Sequence, residues 1–253
     1  MGQEGRGALV TGGGRGIGKA IALGLAEDGA DIAINYRKND EAAAETVAEI
    51  EKLGHRAIAY SASVDDAAAC EQMVAQVLSD FGAVDILVNN AGIASRGQTV
   101  ADTDPAEMER VWRTHALGAW TLSKLVIPSM RTRPRGDVVM ISSAASVYMA
   151  ANSAPYNMAK AALEALAFTL ANEEKTKGIR VNIVAPGLVD TEMGRRLVKG
   201  AMGVEDIRTL DKGMPFGHVC APEDVADAVR FLVSDAASFI TGQRIYLDGG
   251  AGY

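Results

Sequence analysis

Short apolar segments alternate with longer amphipathic segments along the whole chain. Runs such as Ile32-Ala33-Ile34 and Ile86-Leu87-Val88 are almost continuously apolar, which is typical of strands covered by helices on both faces. Seven strands are predicted, at residues 8–10, 31–35, 57–62, 84–88, 137–141, 180–185 and 244–247. Apolar positions at helical spacing predict helices near residues 17–27, 40–53, 67–80, 105–130, 155–176 and 222–234.

Strands that alternate with helices predict an α/β fold with a doubly wound, seven-stranded parallel sheet, because parallel neighbours need crossover connections. No linker rich in Pro, Gly or Ser divides residues 1–253, so one domain is expected. The one long irregular segment, at about residues 187–215, is interpreted as a substrate loop or lid.

Composition narrows the classes of partner. The chain has 25 Lys and Arg against 32 Asp and Glu, a net charge of −7, which argues against nucleic acid or an anionic membrane. We find no signal peptide and no apolar span of membrane length, and we expect a soluble cytoplasmic protein. The three histidines lack metal-ligand spacing, so no metal site is predicted.

A glycine-rich segment follows the first predicted strand and opens the first predicted helix. It contains Gly12, Gly14, Arg15, Gly16, Ile17 and Gly18. Glycines let backbone N–H groups approach a pyrophosphate, and the helix N-terminus adds a positive end. The spacing is GxxxGxG rather than GxGxxG, so the prediction of a dinucleotide loop depends on the strand–helix context.

The end of the second strand indicates which dinucleotide is bound. An acidic residue for the ribose hydroxyls is absent there, and Arg37 follows the strand, with Arg15 in the glycine loop. Two guanidinium groups suit a 2′-phosphate, so NADP(H) is favoured over NAD(H). The alternative is that both are solvated surface arginines.

A candidate catalytic set lies in the second half of the chain. Tyr156 and Lys160 are four residues apart and share one face of a predicted helix. A neighbouring ammonium lowers the pKa of a phenol and makes it a usable proton donor or acceptor. Ser143 stands thirteen residues before Tyr156, just past the fifth strand, and Ser142 is the competing candidate.

With these motifs the chain resembles the short-chain dehydrogenase/reductase family, close to the 3-oxoacyl-carrier-protein reductases and carbonyl reductases. The resemblance covers the chain end to end. It rests on TGGGRGIG (11–18), NNAG (89–92), ISS (141–143), YNMAK (156–160), VNIVAPGLVDT (181–191), PEDVA (222–226) and TGQRIYLDGG (241–250).

The resemblance implies a role for each matching residue. Tyr156 is expected to be the acid–base residue, Ser143 to polarise the substrate carbonyl, and Lys160 also to hold the nicotinamide ribose. The remaining cofactor contacts are expected from Asn90, Ala91 and Gly92 on the adenine-ribose side, Pro186, Gly187 and Val189 under the nicotinamide, and Thr191 at its carboxamide.

Two positions depart from the family pattern. His115 stands where the family usually has Asn, which is thought to hold a water that links Lys to solvent. Histidine can donate and accept, so it is a candidate for the same relay and would bring a titration near neutral pH; the alternative is a repacked helix. Ser63, before Val64, replaces an Asp that bonds the adenine amine, and its oxygen can still accept that bond.

Three functions remain open. The first is reduction of small or medium ketones to secondary alcohols, and the second is reduction of a 3-oxoacyl thioester on acyl carrier protein or coenzyme A. For the second, Arg131, Arg133, Arg135, Lys175 and Lys177 are candidate carrier contacts, or else solvated charges at helix ends. The third is a nucleotide-sensing protein without turnover. A homotetramer is expected from the family, with a dimer as the alternative.

Overall fold

A seven-stranded sheet forms the centre of the computed structural model, which describes residues 2–251. Its strands are β1 (Gly7–Thr11), β2 (Asp31–Tyr36), β3 (Ala57–Ser61), β4 (Ile86–Asn89), β5 (Gly136–Ile141), β6 (Ile179–Pro186) and β7 (Arg244–Leu247). They lie in the order β3-β2-β1-β4-β5-β6-β7, and every neighbouring pair is parallel. The predicted doubly wound α/β fold is therefore confirmed.

The helices of the described residues lie on both faces of this sheet. They are α1 (Gly16–Glu27), α2 (Asp40–Lys52), α3 (Ala67–Phe81), α4 (Pro105–Trp112), α5 (Gly118–Met130), α6 (Ala145–Tyr148), α7 (Ala154–Glu174), α8 (Glu192–Met202) and α9 (Pro222–Val233). Side chains satisfy free N–H groups where helices begin: Asn39 accepts from Ala42 at α2, and Asp66 accepts from Ala69 at α3.

Two hydrophobic clusters cover the two faces of the sheet. Leu9 of β1 belongs to the cluster made with α3, α5 and α7, and the next residue, Val10, belongs to the cluster made with α1, α2 and α9. Successive side chains of a strand point to opposite faces, so both clusters draw on the same apolar runs. This explains why the strands are apolar rather than alternating.

The strand order reverses between β1 and β4. The chain goes outward from β1 to β2 and β3, and then crosses back to place β4 on the other side of β1. Such a reversal opens a crevice at the carboxyl ends of the two strands, where open α/β sheets bind ligands. The candidate site lies at this edge.

The prediction of a single helix over residues 105–130 is wrong in one respect. A π-helical turn, Arg113–Leu117, separates α4 from α5, and His115 lies in that turn. Such single turns add a residue to a helix and are frequent at functional sites. The apolar spacing continues on both sides of the turn, so periodicity did not reveal it.

The prediction that residues 187–215 are irregular was also wrong. The segment contains α8 and a 3-10 helix, Ile207–Gly213. Val198, Ile207 and Val219 form a small core of their own beneath it. Helix α8 is amphipathic, but only Gly194 and Val198 of it are buried and it contains two glycines, which are poor helix formers.

Candidate functional site

The β1–α1 connection has the shape that the glycine motif predicts. Gly12 has a φ of +63°, a conformation that favours glycine, and a Cβ on Gly18 would lie 2.2 Å from the carbonyl oxygen of Gly12. The chain therefore turns tightly from strand to helix, and the N-terminus of α1 faces the crevice. Gly14, Gly16 and Ile17 belong to the same turn and first helical residues. The turn fits a pyrophosphate.

Thr11 and Asn90 fix the glycine loop to the end of β4. The Thr11 hydroxyl oxygen accepts hydrogen bonds from the backbone N–H groups of Asn90 and Ala91, each at 2.9 Å. The Asn90 side chain donates to the Thr11 carbonyl at 2.8 Å. The motifs at residues 11–18 and 89–92 thus form one unit. Sequence analysis did not assign this role to Thr11, and its only signal was its place before the first glycine.

The two arginines proposed for a 2′-phosphate are both exposed. Arg37 follows β2 directly and forms no ion pair with any residue in the described range 2–251. Arg15 lies before α1 and pairs with Glu192 on the first turn of α8. Arg37 can therefore bind an anion without breaking an ion pair. Arg15 has to give up its ion pair with Glu192 before it can bind a phosphate.

Ser63 and Val64 lie beyond β3. The Ser63 hydroxyl donates to the carboxylate of Asp65, which leaves the oxygen of Ser63 able to accept. Asp65 adds a carboxylate two residues from the position where the family usually has Asp, a feature that sequence analysis missed. Val64 is buried, and a Cβ on Gly118 would lie 2.6 Å from the Val64 carbonyl oxygen.

The structure brings Ser143, Tyr156 and Lys160 together at the carboxyl end of β5. Helix α7 begins two residues before Tyr156, with Pro155 in its first turn. Lys160 Nζ lies 5.7 Å from the centre of the Tyr156 ring and donates to the Ile141 carbonyl at 2.7 Å. The Ser143 side chain faces the Tyr156 phenol closely enough to favour the phenolate, and its hydroxyl oxygen lies 3.4 Å from the Pro186 carbonyl oxygen. Two hydroxyl groups thus point at one place, as a carbonyl oxygen requires.

Ser142 points to a different part of the molecule. Its hydroxyl donates to Glu164 Oε1 at 2.7 Å in the interior. Adjacent residues after a strand point in opposite directions, so only Ser143 reaches Tyr156. The geometry therefore agrees with the resemblance, which favours Ser143, and distinguishes it from Ser142, the competing candidate by position.

Burial determines the proton affinities of the pair on α7. It raises the pKa of Tyr156, and the hydrogen bond from Ser143 opposes that rise. Burial also lowers the pKa of Lys160 to about 7, against the charge of Glu164. Burial dominates the pKa of the phenol in the chain alone, so the lowering expected from Lys160 stays a prediction. The phenol stays protonated at neutral pH, as a proton donor must.

His115 is buried in the π-helical turn beside the same residues. Its Nε2 lies 3.0 Å from the Ile93 nitrogen and 2.8 Å from the Ile93 oxygen, so the tautomer decides which bond forms. Gly92 makes room for the ring, since a Cβ there would lie 2.6 Å from Cε1. Burial, and then the charge of Lys160, lower the pKa of His115 to about 3. The predicted titration near neutral pH is therefore wrong.

The remaining predicted cofactor residues lie between β6 and α8. Pro186 ends β6, and the Gly187 N–H donates to the Leu247 carbonyl at 3.0 Å. Val189 is buried. The Thr191 hydroxyl caps α8 by accepting from the Gly194 N–H at 3.1 Å. All four therefore lie along one segment at the carboxyl edge of the sheet.

Comparisons with known proteins identify the family. A model described as enoyl-(acyl carrier protein) reductase matches residues 12–252. The chain is 36% identical over 248 residues to L-rhamnose 1-dehydrogenase (NAD(P)(+)) of Sphingomonas sp., covering 98% of this chain and 96% of the relative. It is 36% identical over 243 residues to a 3-oxoacyl-[acyl-carrier-protein] reductase of Staphylococcus aureus, covering 96% of each.

Solved structures agree over the whole length. A short-chain dehydrogenase from Burkholderia cenocepacia in complex with NADP superposes with a TM-score of 0.89 at 37% identity, covering 99% of each chain. L-sorbose reductase from Gluconobacter frateurii, complexed with NADPH and L-sorbose, gives 0.91 at 32% identity, covering 99% of this chain and 97% of that one.

Two further findings concern residues 2–251. No helix among them is both long and apolar enough to cross a membrane. They contain no group of three or more His, Cys, Asp or Glu side chains placed to hold a metal ion. With the fold, the site and the relatives in agreement, the chain belongs to the short-chain dehydrogenase/reductase family of NAD(P)-dependent oxidoreductases.

Proposed function

We propose that this chain reduces a ketone to a secondary alcohol with NADP(H), using Tyr156 as the proton donor. One observation carries the proposal: the Ser143 side chain faces the Tyr156 phenol, and the buried Lys160 lies 5.7 Å from the centre of the same ring. This pair lies at the same sheet edge as the glycine loop. A carbonyl oxygen placed between the two hydroxyls would accept from both.

The chain's own residues supply orientation and proton transfer. The bound nicotinamide supplies the hydride. Ser143 donates to the carbonyl oxygen and stabilises the negative charge that develops there. Tyr156 gives its proton to that oxygen, and Lys160, 5.7 Å from the ring centre, favours the phenolate left behind. His115 stays neutral and holds the Ile93 backbone, so it acts through position rather than through charge.

The preference for NADP(H) rests on Arg37 and Arg15. Arg37 is exposed directly after β2, where an NAD enzyme usually carries a carboxylate. Relatives with NADP and NADPH support this choice, although 7α-hydroxysteroid dehydrogenase, at a TM-score of 0.90 and 32% identity, was solved with NADH. The rest of the dinucleotide would be held by the glycine loop, Ser63, Val64, the Asn90–Gly92 turn and the segment from Pro186 to Thr191.

A small or medium ketone fits the surroundings of Tyr156 best. Exposed apolar side chains lie in and just after α6, which follows Ser143 in the chain, and on α8: Val147, Tyr148, Met149, Met193, Leu197 and Met202. Methionine adapts to irregular ligands, and the set favours an apolar substrate.

A 3-oxoacyl thioester is the second candidate, because the chain resembles reductases of that class. The arginines suggested for a carrier protein are, however, already paired. Arg131 pairs with Glu174, and Arg133 pairs with Asp85. Because these arginines already pair with carboxylates of the chain, we favour a free small molecule over a carrier-bound group as the substrate.

Exposed aromatic side chains suggest an assembly. Three neighbouring helices each expose one large aromatic side chain: Trp112 on α4, Trp120 on α5 and Phe168 on α7. These helices are in contact through α7 and the π-helical turn. We expect these side chains to be covered in a homotetramer in the cytoplasm, with a dimer as the alternative.

The test is NADPH oxidation against ketones, diketones, acetoacetyl thioesters and an enoyl thioester, for the wild type and Tyr156→Phe. Turnover of a ketone or diketone that falls by roughly 10²–10⁴ in the variant, with unchanged NADPH binding, supports the proposal. Turnover of the acetoacetyl thioester alone supports the second candidate, and turnover of the enoyl thioester alone contradicts both. Undiminished turnover in Tyr156→Phe contradicts the assigned proton donor. NADPH binding without turnover of any class favours the nucleotide-sensing alternative.

A further inference from the structure

Glu164 is a buried carboxylate that the proposed reaction does not use. It lies on α7 one turn after Lys160 and is 5% exposed. Its Oε1 accepts hydrogen bonds from the hydroxyls of Ser142 and Ser146, each at 2.7 Å. Its Oε2 pairs with the guanidinium of Arg244 on β7. One carboxylate therefore joins three separate segments of the chain.

The two serines that Glu164 holds lie on either side of Ser143. Ser142 precedes it directly, and Ser146 follows it within α6, where the Ser146 N–H also donates to the Ser143 carbonyl at 3.0 Å. The backbone that carries Ser143 is thus attached to α7 at two points. Because α7 also carries Tyr156 and Lys160, these bonds fix the distance between the Ser143 and Tyr156 hydroxyls.

Energetics indicate that this arrangement is specific. A carboxylate inside a protein is destabilising unless hydrogen bonds and an opposite charge compensate its lost hydration. An apolar side chain could fill the same space on α7 without that requirement. The two serine hydroxyls and Arg244 compensate Glu164, and each bond has a directional geometry that apolar packing lacks.

We propose that Glu164 is a positioning residue for Ser143: by holding Ser142 and Ser146, it sets the Ser143 hydroxyl against Tyr156. This inference rests on the proposed function. Glutamate and glutamine have the same shape, but an amide offers only one acceptor oxygen and presents N–H groups. In Glu164→Gln the amide oxygen can accept from both serines only if the NH2 group faces the Arg244 guanidinium, which also only donates; with the oxygen towards Arg244, the serine bonds are lost.

The experiment is a double-mutant cycle on NADPH-dependent turnover with Glu164→Gln, Ser143→Ala and the combined variant. A small displacement of a reacting group lowers a rate by up to roughly 10²-fold, so we expect kcat to fall about tenfold or more in Glu164→Gln. NADPH affinity is expected to stay unchanged. In the Ser143→Ala background, Glu164→Gln is expected to cause a much smaller loss, limited to what the lost charge near Lys160 contributes, because its main effect acts through Ser143.

Glu174→Gln is the matched control. Glu174 lies on the same helix, is 2% exposed and also pairs with an arginine, Arg131, but it is ten residues from Glu164 and away from Ser143. We expect this variant to lower the melting temperature without changing kcat. If Glu164→Gln does not fold, Ser146→Ala removes one of the two bonds without unpairing a charge and enters the same cycle.

The outcomes separate the two proposals. An equal loss of kcat in both backgrounds, or a folded Glu164→Gln with wild-type kcat, contradicts the positioning role alone. A wild type without turnover on any substrate, or one whose turnover survives Ser143→Ala, contradicts the proposed function and the positioning role with it.

Discussion

The imidazole of His115 meets the phenol ring of Tyr156 edge-on, with the ring centroids 5.3 Å apart and the planes at 85°. This is a favourable arrangement for two aromatic rings. His115 replaces the Asn that the family usually has, yet it packs against the candidate proton donor and bonds the Ile93 backbone. A substitution of His115 is therefore expected to change the packing against Tyr156 as well as the helical turn that carries it.

The buried His115 predicts a dependence of stability on pH. Its pKa is about 3 in the folded chain against 6.5 for the free side chain, so between these values the unfolded state binds a proton that the folded state does not. The folded state therefore loses stability as pH falls through 6.5 towards 3. Between about pH 7 and pH 5 the loss amounts to roughly 2 kcal/mol.

Urea unfolding of wild type and His115→Asn at those two pH values measures this loss. We expect His115→Asn to lack the acid-dependent loss, whereas His218→Asn, at an exposed position, keeps it. Identical pH dependence in wild type and His115→Asn would show that His115 is not buried as a neutral ring.

Arg37→Asp is expected to change cofactor preference. It places a carboxylate where an NAD enzyme carries one and removes a partner of the 2′-phosphate. A charge-assisted hydrogen bond contributes about 1.5–3 kcal/mol, so the ratio of kcat/KM for NADPH over NADH should fall by roughly 10- to 100-fold. Lys52→Asp, the same change of charge at the end of α2, should leave the ratio unaltered. An unaltered ratio in Arg37→Asp would show that Arg37 does not bind the 2′-phosphate.

Thr11→Val is expected to loosen the glycine loop. It removes the acceptor for the Asn90 and Ala91 N–H groups without a large change in volume. Each buried donor left without a partner lowers stability by about 1–3 kcal/mol. Urea unfolding and NADPH fluorescence titration should both show the loss. Thr169→Val, an exposed threonine on α7 that bonds only Ala165, is the control and should change neither.

Arg131→Ala tests whether an acyl carrier protein docks at Arg131. Arg131 donates two hydrogen bonds to Glu174, at 2.9 and 2.6 Å, and holds the pKa of that carboxyl below its usual range. We expect the variant to lose stability at neutral pH, and to lose less as pH falls and Glu174 becomes protonated in both proteins. Turnover of acetoacetyl groups carried by coenzyme A and by acyl carrier protein should be affected equally. A rise in KM confined to the carrier-bound substrate would instead assign Arg131 to carrier docking.

Local patterns were sufficient for the fold and for much of the candidate site. Apolar runs and helical spacing predicted the seven strands and most helices, because burial on both faces and amphipathicity are properties of short segments. The glycine loop and the Tyr156–Lys160 spacing are local too. Helix α8 was missed because it is short and contains Gly194 and Gly200, which lower helix propensity. The π-helical turn at His115 was missed because the apolar spacing continues through it.

By itself, the sequence determined the parallel α/β fold, the glycine turn and the pairing of Tyr156 with Lys160 on one helical face. Only the tertiary structure decided that Ser143 rather than Ser142 faces Tyr156, and that Glu164 holds the serines on both sides of it. It also decided that His115 is neutral. These features depend on burial and on contacts between residues far apart in the chain, which spacing along the sequence does not specify.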